Sequence, residues 1–292
     1  LLRQLRFRLR SDLYALGETR QLLRRYDQQI ELLQSFLNSY TKQAEKGNIP
    51  LKDLVRLKGA YLKLTNERSE LYKEYLDKQN SLQTLLHTGA TIEFKFGEND
   101  ITGYIRLRSL DEINTEAMQH RPELQIVQTN KQLAEQYLQY QKRLAIPDLN
   151  LFTSYAQRSG AFNNEINAGF AIPLTLWNRN KGNIKSAQYR VQEADYSLQS
   201  MENEMMNEIR NAYMLYTQTV AEYQKAVSLY NKDFELTSRG INENFARGNV
   251  NLMEFIDFFE AYYDVLEQLS RLKIRLVNAA EQINLLTGKD IY

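Results

Sequence analysis

One apolar stripe runs almost without interruption from Lys181 to Ala246, and it limits what this chain can fold into. Apolar side chains recur along it at steps of three and four residues, the spacing that keeps them on one face of an α-helix. The stripe comprises Ile184, Ala187, Val191, Ala194, Leu198, Met201, Met205, Ile209, Ala212, Tyr216, Val220, Tyr223, Val227, Tyr230 and Phe234. A helix of this extent would be on the order of 100 Å long, because each residue adds about 1.5 Å. Such a rod is too long for one compact domain and must lie in a bundle or a coiled coil.

Three further stripes have the same spacing, and short breaks separate them. They run from Leu9 to Tyr40, from Leu54 to Leu85 and from Leu252 to Leu286. Gly47-Asn48-Ile49-Pro50 separates the first two, and Gly248-Asn249-Val250 separates the long stripe from the last. Breaks of this length between long helices predict antiparallel helical hairpins. We therefore predict a mainly α protein with two long, coiled-coil-like helical hairpins.

Residues 148–177 leave the helical pattern and alternate between apolar and polar or small side chains. Alternation with a period of two is typical of a strand with one apolar face. Gly160, Asn163 and Asn164 lie between the two alternating arms, which predicts a β-hairpin. Its apolar face would carry Leu149, Leu151, Tyr155, Ile166, Ala168, Phe170, Ile172, Leu174 and Leu176. A single hairpin is not stable alone, so another surface must cover that face.

Weaker patterns mark the remaining boundaries. Thr91 to Phe96 alternates, and Tyr104 to Leu107 is its candidate partner strand. Gly89 is expected to end the helix before this segment. Pro122, inside a helical pattern, predicts either a kink or the start of a new helix.

These boundaries divide the chain into five segments. They are a first helical hairpin (1–89), a short mixed segment (90–110), a helix (111–147), the β-hairpin (148–177) and a second helical hairpin (178–292).

The two helical hairpins match each other in sequence, which indicates a tandem duplication. The matching pairs are Gly47-Asn48-Ile49 with Gly248-Asn249-Val250, Ala60-Tyr61 with Ala261-Tyr262, and Leu85-Leu86 with Leu285-Leu286. The register slips by only one or two residues along them. A helix and a β-hairpin precede the second copy but not the first. We therefore expect another helix and another β-hairpin upstream of Leu1, and one complete and one partial repeat in this chain.

Composition argues against several functions. The formal charge of +1 gives no bias toward nucleic acid. Cysteine is absent, and the two histidines lie on separate segments, so we expect no metal site. No nucleophile elbow, phosphate-binding glycine loop or His-Glu metal spacing is present. The sequence therefore predicts a protein that is not an enzyme and that uses no cofactor.

Four groups of residues together resemble the TolC family of outer-membrane efflux proteins. They are Arg121-Pro122-Glu123-Leu124, the end of the β-hairpin from Phe170 to Arg179, the two Gly-Asn-Val/Ile breaks, and the closing Gln282-Ile283-Asn284-Leu285-Leu286-Thr287-Gly288. Their order and spacing cover essentially the whole chain. Asn178-Arg179-Asn180-Lys181-Gly182 resembles the heavy-metal branch of the family slightly more than the drug branch.

The resemblance implies a homotrimer in the outer membrane of a Gram-negative bacterium, with most of the chain in the periplasm. The helices would form an α-barrel tunnel, and the β-hairpin would contribute to a transmembrane β-barrel. Leu149, Leu151, Phe170, Ile172, Leu174 and Leu176 would then face outer-membrane lipid. The implied function is a passive exit duct of a tripartite efflux or type I secretion system. Its partners would be a periplasmic adaptor (membrane fusion) protein and an inner-membrane pump, RND or ABC.

The resemblance also assigns roles at the turns of the helical hairpins. Gly47, Asn48, Ile49, Gly248, Asn249 and Val250 would lie at the tips that contact the adaptor. Asp53, Glu254 and Asp257 would form an acidic ring around the lumen at the periplasmic gate, together with Phe245, which replaces a gating Tyr. A gating Arg of the family is Val250 here. The alternative for Glu254 and Asp257 is an ordinary exposed first helical turn, where acidic residues favour the helix dipole.

The β-hairpin discriminates between functions of different classes. A soluble coiled-coil scaffold or tether is the main alternative to the duct, and it has no use for two strands with an uncovered apolar face. An enzyme with a helical domain is a third reading, and it lacks a site. The transported substrate is not encoded in any motif of this chain.

Overall fold

The computed structural model describes residues 1–160, 162–173, 177–230 and 232–292, with the side chains of residues 98, 99, 159, 162, 232 and 233 also outside the description. Helices dominate the described part of the chain, and one antiparallel β-hairpin interrupts them. The elements are α1 (Leu2–Glu45), α2 (Leu51–Leu86), α3 (Glu98–Thr102), a 3-10 turn (Gly103–Ile105), α4 (Leu110–His120), α5 (Pro122–Arg143), β1 (Asn150–Ser159), β2 (Phe162–Ala171), α6 (Lys181–Leu229), α7 (Lys232–Ala246) and α8 (Leu252–Thr287). The predicted fold class, mainly α with one β-hairpin, is confirmed.

The chain forms two compact units, one of residues 1–120 and 208–292 and the other of residues 121–207. In the first unit, α1, α2, α7 and α8 enclose a continuous apolar core that includes Leu33, Leu57, Phe255 and Tyr263. In the second unit, ion pairing and hydrogen bonding join α5 to α6. Lys131 Nζ lies 2.5 Å from Asp195 Oδ1, and Asn180 Nδ2 donates to Gln141 Oε1 at 2.7 Å.

The duplication is visible in the helices that follow the two tips. Both α2 and α8 contain 36 residues, and each begins four residues after the glycine of its turn. The last residues of the two helices, Leu86 and Thr287, are therefore equivalent in structure, one residue away from the sequence match of Leu86 with Leu286. Each helix is followed by a residue in the left-handed conformation, His87 with φ +52° and Gly288 with φ +77°.

His87, not Gly89, ends α2. Its N–H bonds back to Thr84 O at 3.3 Å, and Thr88 N bonds to Gln83 O at 3.0 Å, so the helix closes two residues before the glycine. These bonds satisfy carbonyls at the end of the helix that would otherwise lack partners. A residue with a Cβ is strained at this φ, and glycine is not.

We expect His87→Gly to raise the free energy of unfolding by about 0.5–1 kcal/mol, because glycine takes this left-handed conformation without strain. The second repeat already has glycine at the equivalent position, Gly288. Denaturant unfolding would measure the change. The matched control is Gly288→His, which should lower stability by a similar amount. A loss of stability in His87→Gly would contradict the strain argument.

The long rod predicted from 181 to 246 is wrong, because the structure divides it into α6 and α7. The helix ends at Leu229, Tyr230 lies in a bend, and a new helix begins at Lys232. The apolar stripe continues across this break, since the rings of Tyr230 and Phe234 pack with centroids 4.9 Å apart. Periodicity reports which face is buried, not whether the helix is continuous.

The strands predicted between 91 and 107 are also wrong. Residues 91–97 form neither helix nor strand and have no partner strand among the described residues, and residues 98–105 form α3 and the 3-10 turn. The side chain of Gln79 replaces a partner strand at Ile92, where it accepts from the backbone N–H at 3.1 Å and donates to the carbonyl at 2.6 Å. The alternation has a different cause: Phe94 and Phe96 pack against Tyr14 with centroids 5.3 and 5.1 Å away.

Pro122 starts a new helix instead of kinking an existing one. It is the first residue of α5, and Arg121 before it is extended with ψ 114°. Proline suits this position because the first helical N–H has no partner within the helix.

Candidate functional site

The two helical tips have nearly the same backbone geometry. Gly47 and Gly248 adopt φ of +73° and +77°. The following asparagines, Asn48 and Asn249, each donate their backbone N–H to a carbonyl five residues earlier, at 2.9 Å in both turns. This bond closes each helix at its carboxyl end, and only glycine takes the required φ without strain.

The side chains at the tips differ in how far they reach into solvent. The Asn48 and Asn249 amides fold back onto their own helices, with Nδ2 bonds of 2.8 Å to Gln43 Oε1 and 3.4 Å to Asn244 Oδ1. Both glycines and both asparagines are exposed, and Ile49 and Val250 are half-buried. Val250 packs against the apolar core of the first unit. The six residues predicted to contact an adaptor therefore occupy the outermost turns of the two helical hairpins.

Two of the three predicted gate carboxylates, Asp53 and Glu254, lie in the first turns of the helices that leave the tips, and Asp257 lies one turn further along α8. Glu254 and Asp257 are exposed and three residues apart on α8, so they share a face of the helix. Asn251 caps this helix by accepting the backbone N–H of Glu254 at 3.0 Å. Asp53 is half-buried near Tyr40, and burial together with the charge of Asp53 raises the pKa of Tyr40. Among the described residues, no cation pairs with any of the three carboxylates.

Phe245 does not join these carboxylates at the surface. Its side chain is 5% exposed and stacks on Phe255 with centroids 4.0 Å apart. Phe36 meets its edge at 4.9 Å, and Tyr40 stacks on it at 5.9 Å. The predicted position of Phe245 at the lumen surface is therefore corrected to a position inside the tip, between α1 and α8. Helical spacing offered the signal, because Phe245 follows Ile241 by four residues on the buried stripe.

The β-hairpin forms with the predicted facing. Leu151 pairs with Phe170 and Tyr155 with Ile166, so their side chains share one face. That face is open, since these four side chains are between 62% and 77% exposed. Leu149 and Ile172 continue it and are also exposed, whereas Leu174 and Leu176 lie outside the described residues.

The opposite face of the hairpin carries polar or small side chains and one aromatic ring. Ser154, Asn167 and Glu165 lie on this face. Phe152 pairs across the strands with Gly169 and covers it, because a Cβ built on Gly169 would come within 2.5 Å of the Phe152 ring. The glycine therefore makes room for an aromatic ring on an otherwise hydrophilic face.

A hydrogen-bonded network at the break between α6 and α7 was not predicted. Arg25 of α1 donates to Glu235 Oε1 at 2.5 Å, and Tyr230 donates to the same atom at 2.5 Å. Tyr263 also donates to the backbone carbonyl of Arg25 at 2.9 Å. Burial opposes the charge of Glu235, but the bonds from Tyr230 and Arg25 outweigh it and hold the pKa of this carboxyl below its usual range. Residues 210 positions apart form this pair, so no local pattern could reveal it.

Metal-binding side chains do not cluster in the described part of the chain. None of their His, Cys, Asp and Glu side chains form a group of three or more that could hold a metal ion. His87 caps α2, and His120 Nδ1 donates to the Glu116 carbonyl at 2.9 Å. None of the described helices is long and apolar enough to cross a membrane.

Comparison with known proteins adds a family match to this geometry. The family model described as "Outer membrane efflux protein" matches residues 114–289. No protein with a curated description matches the chain.

Solved structures share the fold at low sequence identity. A membrane protein from Pseudomonas aeruginosa superimposes with a TM-score of 0.72 and 12% identity, over 98% of this chain and 68% of its own. The VceC outer membrane protein of Vibrio cholerae superimposes with a TM-score of 0.70 and 16% identity, over 99% of this chain and 71% of its own. The CmeC outer membrane channel of Campylobacter jejuni superimposes with a TM-score of 0.68 and 12% identity, over 99% of this chain and 64% of its own. The chain therefore spans about two thirds of the length of these proteins.

Proposed function

Since the chain belongs to the outer membrane efflux protein family, we propose that it forms part of the wall of a passive exit duct. The family match covers most of the chain, and the family consists of channel proteins, not enzymes. The predicted resemblance is thus confirmed. The proposed duct moves cargo without chemistry, and energy comes from an inner-membrane pump.

The β-hairpin is the observation that carries this proposal beyond family membership. Its apolar face is open along both strands, with Leu151 and Phe170 77% and 72% exposed. Each large apolar side chain that this face exposes to water would cost on the order of 1.5–3 kcal/mol relative to a buried state. A lipid-facing position in a barrel shared by three protomers removes that cost, and a soluble tether offers no such surface.

The helical tips support the proposed partners. Exposed turns at the ends of α1 and α7 give an adaptor two similar surfaces, Gly47-Asn48-Ile49 and Gly248-Asn249-Val250. In a homotrimer each surface would repeat three times around the tunnel. We place these tips and most of the helical chain in the periplasm of a Gram-negative bacterium, with an RND or ABC pump beyond the adaptor.

The proposed gate rests on the unpaired carboxylates of Asp53, Glu254 and Asp257. Three protomers would bring copies of these groups around one opening, where acidic rings attract cations. We expect Glu254→Gln combined with Asp257→Asn to raise the divalent-cation concentration for half-block of current by roughly tenfold, equivalent to about 1.4 kcal/mol of binding. Single-channel recording of the full-length protein in planar bilayers measures this.

The matched control removes the same charge elsewhere. Glu31 and Glu70 are exposed on α1 and α2, away from both tips, and Glu31→Gln with Glu70→Gln should leave the block unchanged. Unchanged block in the gate variant would remove the gate from the proposal. If both double variants need a higher divalent-cation concentration for half-block, the effect comes from overall charge and not from the acidic ring.

A further inference from the structure

One large apolar side chain stands on the face of the β-hairpin that would line the lumen of the proposed duct. We call this the inner face, and it lies opposite Leu151 and Phe170. Pairing across the strands places ten described residues on it: Asn150, Phe152, Ser154, Ala156, Arg158, Asn163, Glu165, Asn167, Gly169 and Ala171. Phe152 is the one large apolar side chain among these ten, since the others are polar, charged or small. The alternation that predicts the lipid-facing residues does not explain an aromatic ring on this face.

The Phe152 ring lies across the strands on Gly169, its cross-strand partner. A Cβ at Gly169 would lie 2.5, 3.0 and 3.1 Å from three carbons at the far end of the ring, so glycine leaves the room that the ring needs. Aromatic side chains shield strand glycines in this way, and such contacts help to fix the register. The contact covers only part of the ring, because Phe152 remains 56% exposed. More than half of the side chain is therefore free to contact a molecule beside the wall.

The surroundings of Phe152 on the inner face carry no charge. Beside Gly169, its nearest neighbours along the two strands are Asn150, Ser154, Asn167 and Ala171. Arg158 and Glu165, the charged residues of this face, lie closer to the turn. At about 3.3 Å per residue along a strand, both are roughly 13 Å or more from the Phe152–Gly169 pair. The ring would therefore attract a passing molecule by dispersion and stacking, and not by charge.

We propose that Phe152 is a contact site for cargo that carries aromatic rings, repeated once per protomer around the lumen of the barrel. This inference rests on the proposed duct. Barrels of about eight strands are filled by their own side chains, and larger ones keep a water-filled lumen. With the second hairpin expected upstream in each of three protomers, the proposed barrel belongs to the larger class, so Phe152 stays within reach of cargo. An aromatic group of the cargo would pack against the exposed part of the ring, offset or edge to face.

Single-channel recording of the full-length protein with neutral blocking peptides tests the site. The probe is an end-capped tetrapeptide that contains two tryptophans, and the reference peptide has glutamines in their place. In the unmodified protein, each block by the tryptophan peptide should last roughly threefold longer or more than a block by the glutamine peptide. Phe152→Leu keeps an apolar side chain but removes the ring, so it should abolish most of this difference. Phe152→Tyr keeps the ring and should preserve the difference.

Phe170→Leu is the matched control, because it removes the same ring from the opposite face of the same hairpin. It should leave the duration of both kinds of block unchanged.

Three results would overturn the proposal. The first is equal block by the two peptides in the unmodified protein, which needs no variant to fold. The second is an unchanged difference in Phe152→Leu, which would leave Phe152 as a cover for Gly169 alone. The third is an equal loss in Phe170→Leu, which would assign the effect to the stability of the barrel. All three are read from an open channel, whereas failure of the duct itself would give no current steps at all.

Discussion

Replacing Glu281 with Ala is expected to lower the free energy of unfolding by about 3 kcal/mol. The Glu281 side chain is 2% exposed and accepts hydrogen bonds from three elements. Arg10 of α1 donates to both carboxylate oxygens at 3.2 Å, Tyr104 of the 3-10 turn at 2.9 Å, and Asn284 of α8 at 3.2 Å. Removing the carboxylate leaves the buried Tyr104 hydroxyl without its acceptor and breaks the links that Arg10 and Asn284 make to Glu281, although Arg10 keeps Asp290 and Asn284 keeps the Tyr292 carbonyl. Denaturant unfolding measures the loss.

A second glutamate on the same helix is the control. Glu267 pairs with Arg271 at 2.6 Å, but the side chains are 36% and 61% exposed, so solvent screens the pair. Glu267→Ala should cost no more than about 0.5 kcal/mol. Equal losses in Glu281→Ala and Glu267→Ala would show that the buried network does not hold α1, α8 and the 3-10 turn together.

Phe255→Ala is expected to cost about 3–5 kcal/mol. Phe255 is 1% exposed and sits among the rings of Phe245, Phe36 and Phe259, with centroids 4.0, 5.7 and 4.8 Å away. Truncation removes the ring and leaves a cavity at the centre of the aromatic cluster that joins α1, α7 and α8. Thermal or denaturant unfolding measures the cost.

Met253, two residues earlier on α8, provides the matched comparison because its side chain is 52% exposed. Met253→Ala should change stability by less than about 0.5 kcal/mol. If Phe255→Ala costs as little as Met253→Ala, then the tips are not held by the aromatic cluster, and the corrected position of Phe245 loses its support.

The repetitive parts of this fold could be predicted from the sequence because they follow local periodicity. Alternation gave the facing of the β-hairpin, and the pairing of Leu151 with Phe170 agrees with it. The two glycine turns could be found because a left-handed backbone favours glycine. The same reasoning predicts that α2 ends at Gly89. In the structure the left-handed residue that ends this helix is His87.

The remaining errors concern contacts between residues distant in sequence. A side chain, Gln79, replaces the partner strand expected beside residues 91–96. The break between α6 and α7 lies beside the Arg25–Glu235 pair. The spacing of apolar residues gives no sign of this pair, because its two members are polar and distant in sequence. Phe245 was assigned to the lumen from resemblance, against its own helical spacing. The roles of the tips and of Asp53, Glu254 and Asp257 remain predictions, since they depend on neighbours outside this chain.

Conductance of the purified full-length protein in planar lipid bilayers tests the central claim most directly. A passive exit duct predicts discrete current steps that persist without nucleotide or a proton gradient, from a protein extracted with the outer membrane as a homotrimer. The absence of current steps, together with recovery of the protein in the soluble fraction, would contradict the duct and favour the coiled-coil tether.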